Sequence, residues 1–229
     1  MGSDKESLFH QRKAKTESDA KRKQAYRQPY LKVLIVCEGE KTEPLYFQEM
    51  IDYYEVHTAN VTVSGNCGSA PISVVDHGLT LFNAEKRKSP NNPFDRVYLV
   101  FDRDAHETYH DALNKINAQK PKDVFLAINS VPSFEYWLLL HFTLTTRPFF
   151  AKGRNNSSGR EAFDVLKKCM PSYEKKSRGT FRALLEKLPD AIRNADSANA
   201  AAISNNTDNP STQVHKLVEL LKDLKSKRV

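Results

Sequence analysis

LKVLIVC (residues 31–37) and EGEKTEPLYF (residues 38–47), read together, predict the fold of this chain. The first seven residues are almost all β-branched or aliphatic, which is typical of a short strand buried on both faces. Between residues 43 and 55, large apolar side chains recur at helical spacing, namely Tyr46, Phe47, Met50, Ile51 and Tyr54. A buried strand that leads directly into a helix indicates a parallel sheet covered by helices.

The alternation of strand and helix continues to residue 142. Further strands are predicted over residues 60–64, 96–101 and 123–128. Helices are predicted from residue 71 to about 87, after residue 101 to about 118, and over 133–142. We therefore predict an α/β fold, with a mostly parallel sheet flanked by helices and a C-terminal helical part.

Three regions are expected along the chain. Residues 1–29 are polar, basic and without periodicity, which predicts a basic flexible arm. Residues 30–142 form the α/β core, and residues 143–229 form a mainly helical extension packed on it. Asn209 and Pro210 are predicted to begin the last helix. Its apolar stripe is Val214, Leu217, Val218, Leu221 and Leu224.

Composition narrows the range of functions. The net charge of +7 suggests an anionic partner, nucleic acid above all, and residues 151–187 hold ten basic against four acidic residues. No apolar run reaches the ~18 residues of a membrane span, and no signal-peptide core opens the chain. The three cysteines are widely spaced and form no paired motif, so we expect a protein of the reducing cytoplasm. We expect no membrane among its partners.

Acidic residues follow two of the predicted strands. Asp102 and Asp104 form a D-x-D pair after the strand over 96–101, and Glu38 and Glu43 flank the first strand-to-helix turn. Parallel strands bind ligands outside their carboxyl ends, and residues i and i+2 of an extended chain point the same way. Hard carboxylate oxygens suit Mg²⁺, so the pattern predicts a magnesium site. The alternative is that Glu38 and Glu43 are first-turn acids favoured by the helix dipole.

A second motif overlaps the D-x-D pair. His106, Glu107 and His110 fit the H-E-x-x-H pattern of zinc peptidases, with Glu135 as the candidate third ligand. In those enzymes both histidines lie on one face of an established helix. Here the motif starts directly after a strand, and Asp104 with Glu107 has the spacing of a capping box. We interpret the two histidines as part of a solvated helix face, and the zinc peptidase as the alternative.

Four blocks of the sequence resemble the RloB-like family, whose members are encoded beside bacterial restriction and phage-defence genes. The blocks are VCEGEKTEPLYF (36–47), VFDRD (100–104), NSVPSFEYWLLLHF (129–142) and NNTDNPST (205–212). They occur in the family's order and lie within residues 31–224. The E-G-x-x-T-E block and the D-x-D pair are also similar to the Toprim domain of topoisomerases, primases and nucleases.

This resemblance implies a Toprim-like fold and metal-dependent chemistry on nucleic acid. It implies that Glu38 is a general acid/base or a ligand, and that Asp102 and Asp104 are magnesium ligands. Glu43 matches the second acid of the nuclease branch. Glu135 belongs to the family's own S-F-E block and is a candidate catalytic residue, the alternative being that this block only packs the core.

Two functional hypotheses follow. The first is a nuclease of bacterial phage defence that uses Mg²⁺, or alternatively Mn²⁺, to hydrolyse phosphodiester bonds in DNA or RNA, tRNA included. The second is a non-catalytic subunit that binds or senses nucleic acid within an ATPase-containing defence complex. The chain has no Walker A loop, so any ATP-driven step needs a partner, and the nuclease of the first hypothesis acts alone or with an ATPase. Candidate nucleic-acid-binding residues are Lys41, Lys175, Lys176 and Arg178. The last helix is expected to dock either on its own domain or on a second copy of the chain, which would form a homodimer.

Overall fold

The computed structural model describes residues 31–56, 61–65, 67–68, 70–151 and 157–226. The predicted basic arm over residues 1–29 lies outside the described residues. The strands within these ranges are β1 (Val33–Cys37), β2 (Val61–Ser64), β3 (Arg96–Asp102), β4 (Phe125–Val131) and β5 (Ser211–Thr212). The α-helices are α1 (Thr42–Tyr53), α2 (Pro71–Lys88), α3 (Tyr109–Asn117), α4 (Phe134–Leu139), α5 (Ser158–Cys169), α6 (Thr180–Leu184), α7 (Leu188–Ser204) and α8 (Val214–Ser226).

The strands form one sheet in the order β2-β1-β3-β4-β5. The first four strands are parallel, and β5 pairs with β4 in the antiparallel direction. Because parallel neighbours need a crossover connection, α1, α2 and α3 each link one strand to the next. The predicted α/β fold, a mostly parallel sheet flanked by helices, is confirmed.

Helices cover both faces of the sheet. Residues 33, 35 and 37 of β1 pack towards α1 and the helices of the C-terminal part, whereas residues 34 and 36 pack towards α2 and α3. All five residues of β1 are buried. A strand buried on both faces has no solvent side for polar residues, which explains the unbroken apolar run. No helix in the described ranges is long and apolar enough to cross a membrane.

The C-terminal part adds β5 to the edge of the sheet beside β4. The backbone of Thr212 in β5 bonds in both directions to the side-chain amide of Asn199 in α7, at 3.1 and 2.8 Å. The edge of this short strand that faces away from β4 is therefore paired with a side chain. The predicted helix start at Asn209 and Pro210 was wrong, because these residues lead into β5 and α8 begins at Val214. The apolar stripe predicted on α8 is confirmed, since its members are buried or packed against the core.

The helix after β3 also begins later than predicted. Residues 103–108 form turns, and Asp104 has a backbone φ of 29°, in the left-handed region. The capping-box prediction for Asp104 and Glu107 was therefore wrong, because α3 begins only at Tyr109. These turns leave the Asp104 carboxylate near the end of β3 instead of at a helix start.

Candidate functional site

The order of the strands creates a crevice between β1 and β3. The chain leaves β1 for β2 on one side and returns through α2 to β3 on the other. In open parallel sheets, ligands bind at such a switch point, outside the carboxyl ends of the strands. Glu38 directly follows β1 and Asp102 ends β3. The Asp102 N–H donates to Glu38 Oε2 at 3.0 Å, so the structure brings these two predicted site residues together.

Glu43 lies in the first turn of α1, directly after the β1–α1 turn. A Cβ atom at position 39 would lie 2.7 Å from Glu43 Oε2. Gly39 thus allows the Glu43 carboxylate to lie against this turn. The charge of Glu43 acts on Asp102, so this acid belongs to the same group as the two strand-end carboxylates.

Asp104 contacts the start of α5. Its Oδ1 accepts hydrogen bonds from the Gly159 N–H at 3.2 Å and from the Ser158 hydroxyl at 3.4 Å. A carboxylate is favoured there because the first N–H groups of a helix lack partners within the helix. A Cβ atom at position 159 would lie 3.2 Å from Asp104 Oδ2, so the glycine permits this close approach. One oxygen of Asp104 is therefore engaged by α5, and the other lies against Gly159.

Glu135 is buried near the start of α4, with 2% of its surface exposed. The Ser133 hydroxyl donates to Oε2 at 2.7 Å, and the Tyr173 hydroxyl donates to Oε1 at 3.2 Å. The Lys175 ammonium lies 2.9 Å from the same Oε1. A buried carboxylate needs donors of this kind. Burial of Lys175 opposes its charged form, but the neighbouring Glu135 carboxylate has the opposite effect, and the pKa of Lys175 is raised above its usual value.

These acids form one electrostatic group, which we call the carboxylate cluster: Glu38, Glu43, Asp102, Asp104 and Glu135. Burial, with the charge of Asp104 adding to it, raises the pKa of Glu38 to about 7. Burial and the charges of Glu135 and Glu38 likewise raise the pKa of Glu43 to about 7. Burial and three neighbouring carboxylates raise the pKa of Asp102 well above its ordinary range. Repulsion of this kind is relieved by bound protons or by a cation.

The carboxylate cluster opens on two clefts. The larger has a volume of about 680 Å³ and is lined by Glu38, Asp102 and Asp104 together with residues of α5 and the segment 173–175. The smaller has a volume of about 370 Å³ and is lined by Glu38, Asp102, Glu43 and Lys176 among others. Glu38 and Asp102 line both clefts and so form the wall between them.

The predicted nucleic-acid-binding residues are divided between these clefts and the surface. Lys175 lines the larger cleft and Lys176 lines the smaller one. Lys41 and Arg178 are exposed outside both clefts. The structure therefore brings the first two lysines to the carboxylate cluster and leaves the other two cations on the surrounding surface.

The segment that carries these lysines is anchored on α1. The Lys176 N–H donates to the Thr42 hydroxyl at 3.1 Å. Glu49 accepts hydrogen bonds from the N–H groups of Gly179 and Phe181, the latter at 3.1 Å. Glu49 thus supplies a carboxylate to the first amides of α6, where negative charge is favoured. This anchor holds residues 175–179 beside the clefts.

The H-E-x-x-H motif does not form a zinc-peptidase arrangement. His106 lies in the turns before α3, whereas His110 is exposed on α3, so the two histidines share no helical face. The interpretation of His106 as part of a solvated helix face was also wrong. Its side chain is 31% exposed and lines the larger cleft, with Nε2 3.2 Å from Glu38 Oε1.

The donors of the carboxylate cluster suit Mg²⁺ or Mn²⁺ in their chemistry. Across the part of the chain that the structure describes, no three His, Cys, Asp or Glu side chains are placed closely enough to bind one metal ion directly. Magnesium keeps several of its waters, so a few carboxylates are sufficient to hold it. Glu38, Asp102 and Asp104 line the larger cleft and are the residues that would hold such an ion.

Several residues of the larger cleft were missed at the level of sequence. These are His106, Arg160, Phe163, Lys167 and Tyr173. For His106 the available signal was its place two residues after the D-x-D pair. For the α5 residues the only signal was the basic charge of residues 151–187, which does not indicate which side chains reach the acids.

Comparison with known proteins identifies one family. The family model described as RloB-like protein matches residues 33–221, which is most of the chain. No curated protein and no solved structure shows significant similarity to this chain.

Proposed function

The chain belongs to the RloB-like family, and from the chemistry of its cleft we propose that it is a metal-dependent nuclease that hydrolyses phosphodiester bonds in nucleic acid. The observation that carries this proposal is the carboxylate cluster at the carboxyl ends of β1 and β3. Burial and mutual repulsion raise the pKa of Glu38 and of Glu43 to about 7 and that of Asp102 well above its usual range. Such a group of acids is costly for the fold unless a cation or protons offset its charge.

Glu38, Asp102 and Asp104 are the residues that would hold Mg²⁺ or Mn²⁺. When bound there, such an ion would polarise a phosphate and lower the pKa of a water molecule. Glu43, in the smaller cleft, could bind a second ion. Glu135 acts through Lys175 in this proposal, because it holds the ammonium at 2.9 Å beside the larger cleft.

The chain's own residues have distinct tasks in the reaction. Lys175 balances negative charge on the phosphate as the transition state forms. The oxygen of the attacking water bonds to phosphorus while the bond from phosphorus to the leaving oxygen breaks, and the proton of that water passes to solvent. The leaving oxygen takes a proton from solvent. The remaining candidate cations bind phosphates of the nucleic-acid strand on both sides of the bond that is cleaved; they are Lys41, Lys176 and Arg178.

One observation favours the second candidate function, a non-catalytic nucleic-acid-binding or sensing subunit. Several carboxylates already accept hydrogen bonds from the protein, as Glu135 does from Ser133 and Tyr173. In that case the carboxylate cluster would maintain the fold, and an ATPase partner in a phage-defence complex would supply the energy-driven step. The test below separates the two functions by turnover.

The test compares the wild-type protein with Asp102→Asn and with Asp190→Asn, a control in which an exposed aspartate paired with Arg193 is changed. Each is incubated with single- and double-stranded DNA, structured RNA and tRNA, in Mg²⁺, Mn²⁺ or a chelator. Cleavage that needs the ion, persists in the control and is lost in Asp102→Asn supports the nuclease. Cleavage equal in all three proteins contradicts the assigned site. Nucleic-acid binding without cleavage supports the sensing subunit.

A further inference from the structure

One wall of the larger cleft, formed by α5 and residues 173–175, carries an aromatic ring with cations beside it. Phe163 of α5 lines the cleft and is half-buried. The Arg160 guanidinium lies 5.1 Å from the centre of its ring, and the Lys175 ammonium lies 5.7 Å from it. Arg160 and Lys175 also line the cleft, so an aromatic ring and two positive charges share it with Glu38, Asp102 and Asp104.

This wall is held in place by its neighbours. The Phe163 ring packs against that of Tyr173, with 5.9 Å between their centres. The Lys167 ammonium, one turn further along α5, bonds to the carbonyls of Pro171 and Tyr173. The segment that leads to Lys175 is thereby fixed against α5. A ligand would meet a preformed surface in this cleft, which lowers the cost of ordering on binding.

The dimensions of the cleft restrict what can enter it. Its volume of about 680 Å³ is in the range of sites that enclose one small ligand, so it has room for about one or two nucleotides. The acids lie recessed in it, and the Glu38 side chain is only 14% exposed. A base-paired segment is wider than one strand and could touch only the rim of the cleft.

The chemistry of the wall agrees with this restriction. Proteins that bind single strands combine basic side chains along the backbone with aromatic rings on which bases stack. In a duplex the faces of the bases are already covered by neighbouring bases, whereas an unpaired base presents its face to a ring or a guanidinium plane.

We infer that the larger cleft takes an unpaired strand of nucleic acid, with one base stacked on the surface formed by Phe163 and Arg160 and the adjoining phosphate turned towards the carboxylate cluster. This inference rests on the proposed function, because it names the substrate class of the same site. The stacking surface is separate from the acids, so binding to it can be measured without turnover.

Phe163→Leu and Phe142→Leu form a matched pair for the test. Both phenylalanines are partly buried and packed against the same core. Each has a lysine ammonium beside its ring: Lys175 lies 5.7 Å from the ring centre of Phe163, and Lys187 lies 5.2 Å from that of Phe142. Only Phe163 lines the cleft. Two labelled probes are used: a short DNA or RNA strand, and a hairpin in which the same strand is paired with its complement. Binding of each is followed by fluorescence anisotropy in chelator. Far-ultraviolet circular dichroism checks that each variant folds.

The wild type should bind the single strand more tightly than the duplex, and Phe163→Leu should weaken single-strand binding about tenfold. Duplex binding, and all binding by Phe142→Leu, should be unchanged. Equal affinity for strand and duplex, an unchanged Phe163→Leu, or no binding overturns the inference, even if ion-dependent cleavage establishes the nuclease. Selective, Phe163-dependent binding without any cleavage would support the inference and contradict the proposed enzyme.

Discussion

Replacing Glu38 by Gln should stabilise the metal-free protein at alkaline pH. The pKa of Glu38 rises from 4.5 to about 7 in the folded protein, mainly through burial. Since one pKa unit corresponds to about 1.4 kcal/mol, holding this carboxylate ionised in the folded state costs about 3 kcal/mol. The side chain is only 14% exposed, so solvent screening reduces this figure little. Gln removes the charge and still has an oxygen that can accept the Asp102 N–H.

The expected pH dependence follows from the direction of the shift. Because the folded-state pKa is raised, this group leaves the wild type fully stable below about pH 4.5 and destabilises it as the pH rises through about 7. Glu38→Gln does not lose stability in this way, because glutamine has no carboxyl group to ionise. The advantage of the variant in free energy of unfolding should therefore grow by about 2.5 kcal/mol between about pH 5 and about pH 8.

The assay is urea unfolding in chelator, followed by the fluorescence of Trp137, the single tryptophan of the chain, which is fully buried. Glu85→Gln is the control. Glu85 accepts a hydrogen bond from the Lys32 ammonium, which lowers its pKa, so that variant should lose stability at about pH 8. A Glu38→Gln variant less stable than the wild type at that pH would refute the reasoning. Glu38 would then be a required structural acceptor and not a repelled carboxylate.

Three further predictions concern residues around the site and elsewhere. Gly159→Ala places a methyl group 3.2 Å from Asp104 Oδ2 and 3.3 Å from the Ser133 Cβ. This crowding should outweigh the ~1 kcal/mol by which alanine favours a helix over glycine, so the urea midpoint should fall; an unchanged or higher midpoint would contradict this. Glu49→Ala leaves two amides at the start of α6 without their acceptor, so it should cost about 1–3 kcal/mol and speed limited proteolysis within residues 175–179. Of the three thiols, only the exposed Cys169 should react rapidly with a thiol dye at about pH 8, because burial raises the pKa of the other two. A second fast thiol would argue against their burial.

The regular elements could be predicted because their signals are local. The apolar run of β1 and the helical spacing of α1 each reflect the burial of one element, and both lie within a few residues of the predicted bounds. The errors occurred where a distant partner decides the structure. Asn209 and Pro210 are residue types that begin helices, yet here they lead into β5, which pairs with Ser130 and Val131 of β4.

The acids at the end of β1 and β3 could also be predicted to meet, because the carboxyl ends of parallel neighbours lie at one edge of the sheet. The sequence alone thus determined the fold class, both strands and the proximity of Glu38 to Asp102. Only the tertiary structure decided that α5 reaches Asp104 across 55 residues, that Glu135 holds Lys175, and that Phe163 lines the same cleft as the acids. Periodicity records which face of an element is buried, whereas these contacts depend on how separate elements pack against one another in space.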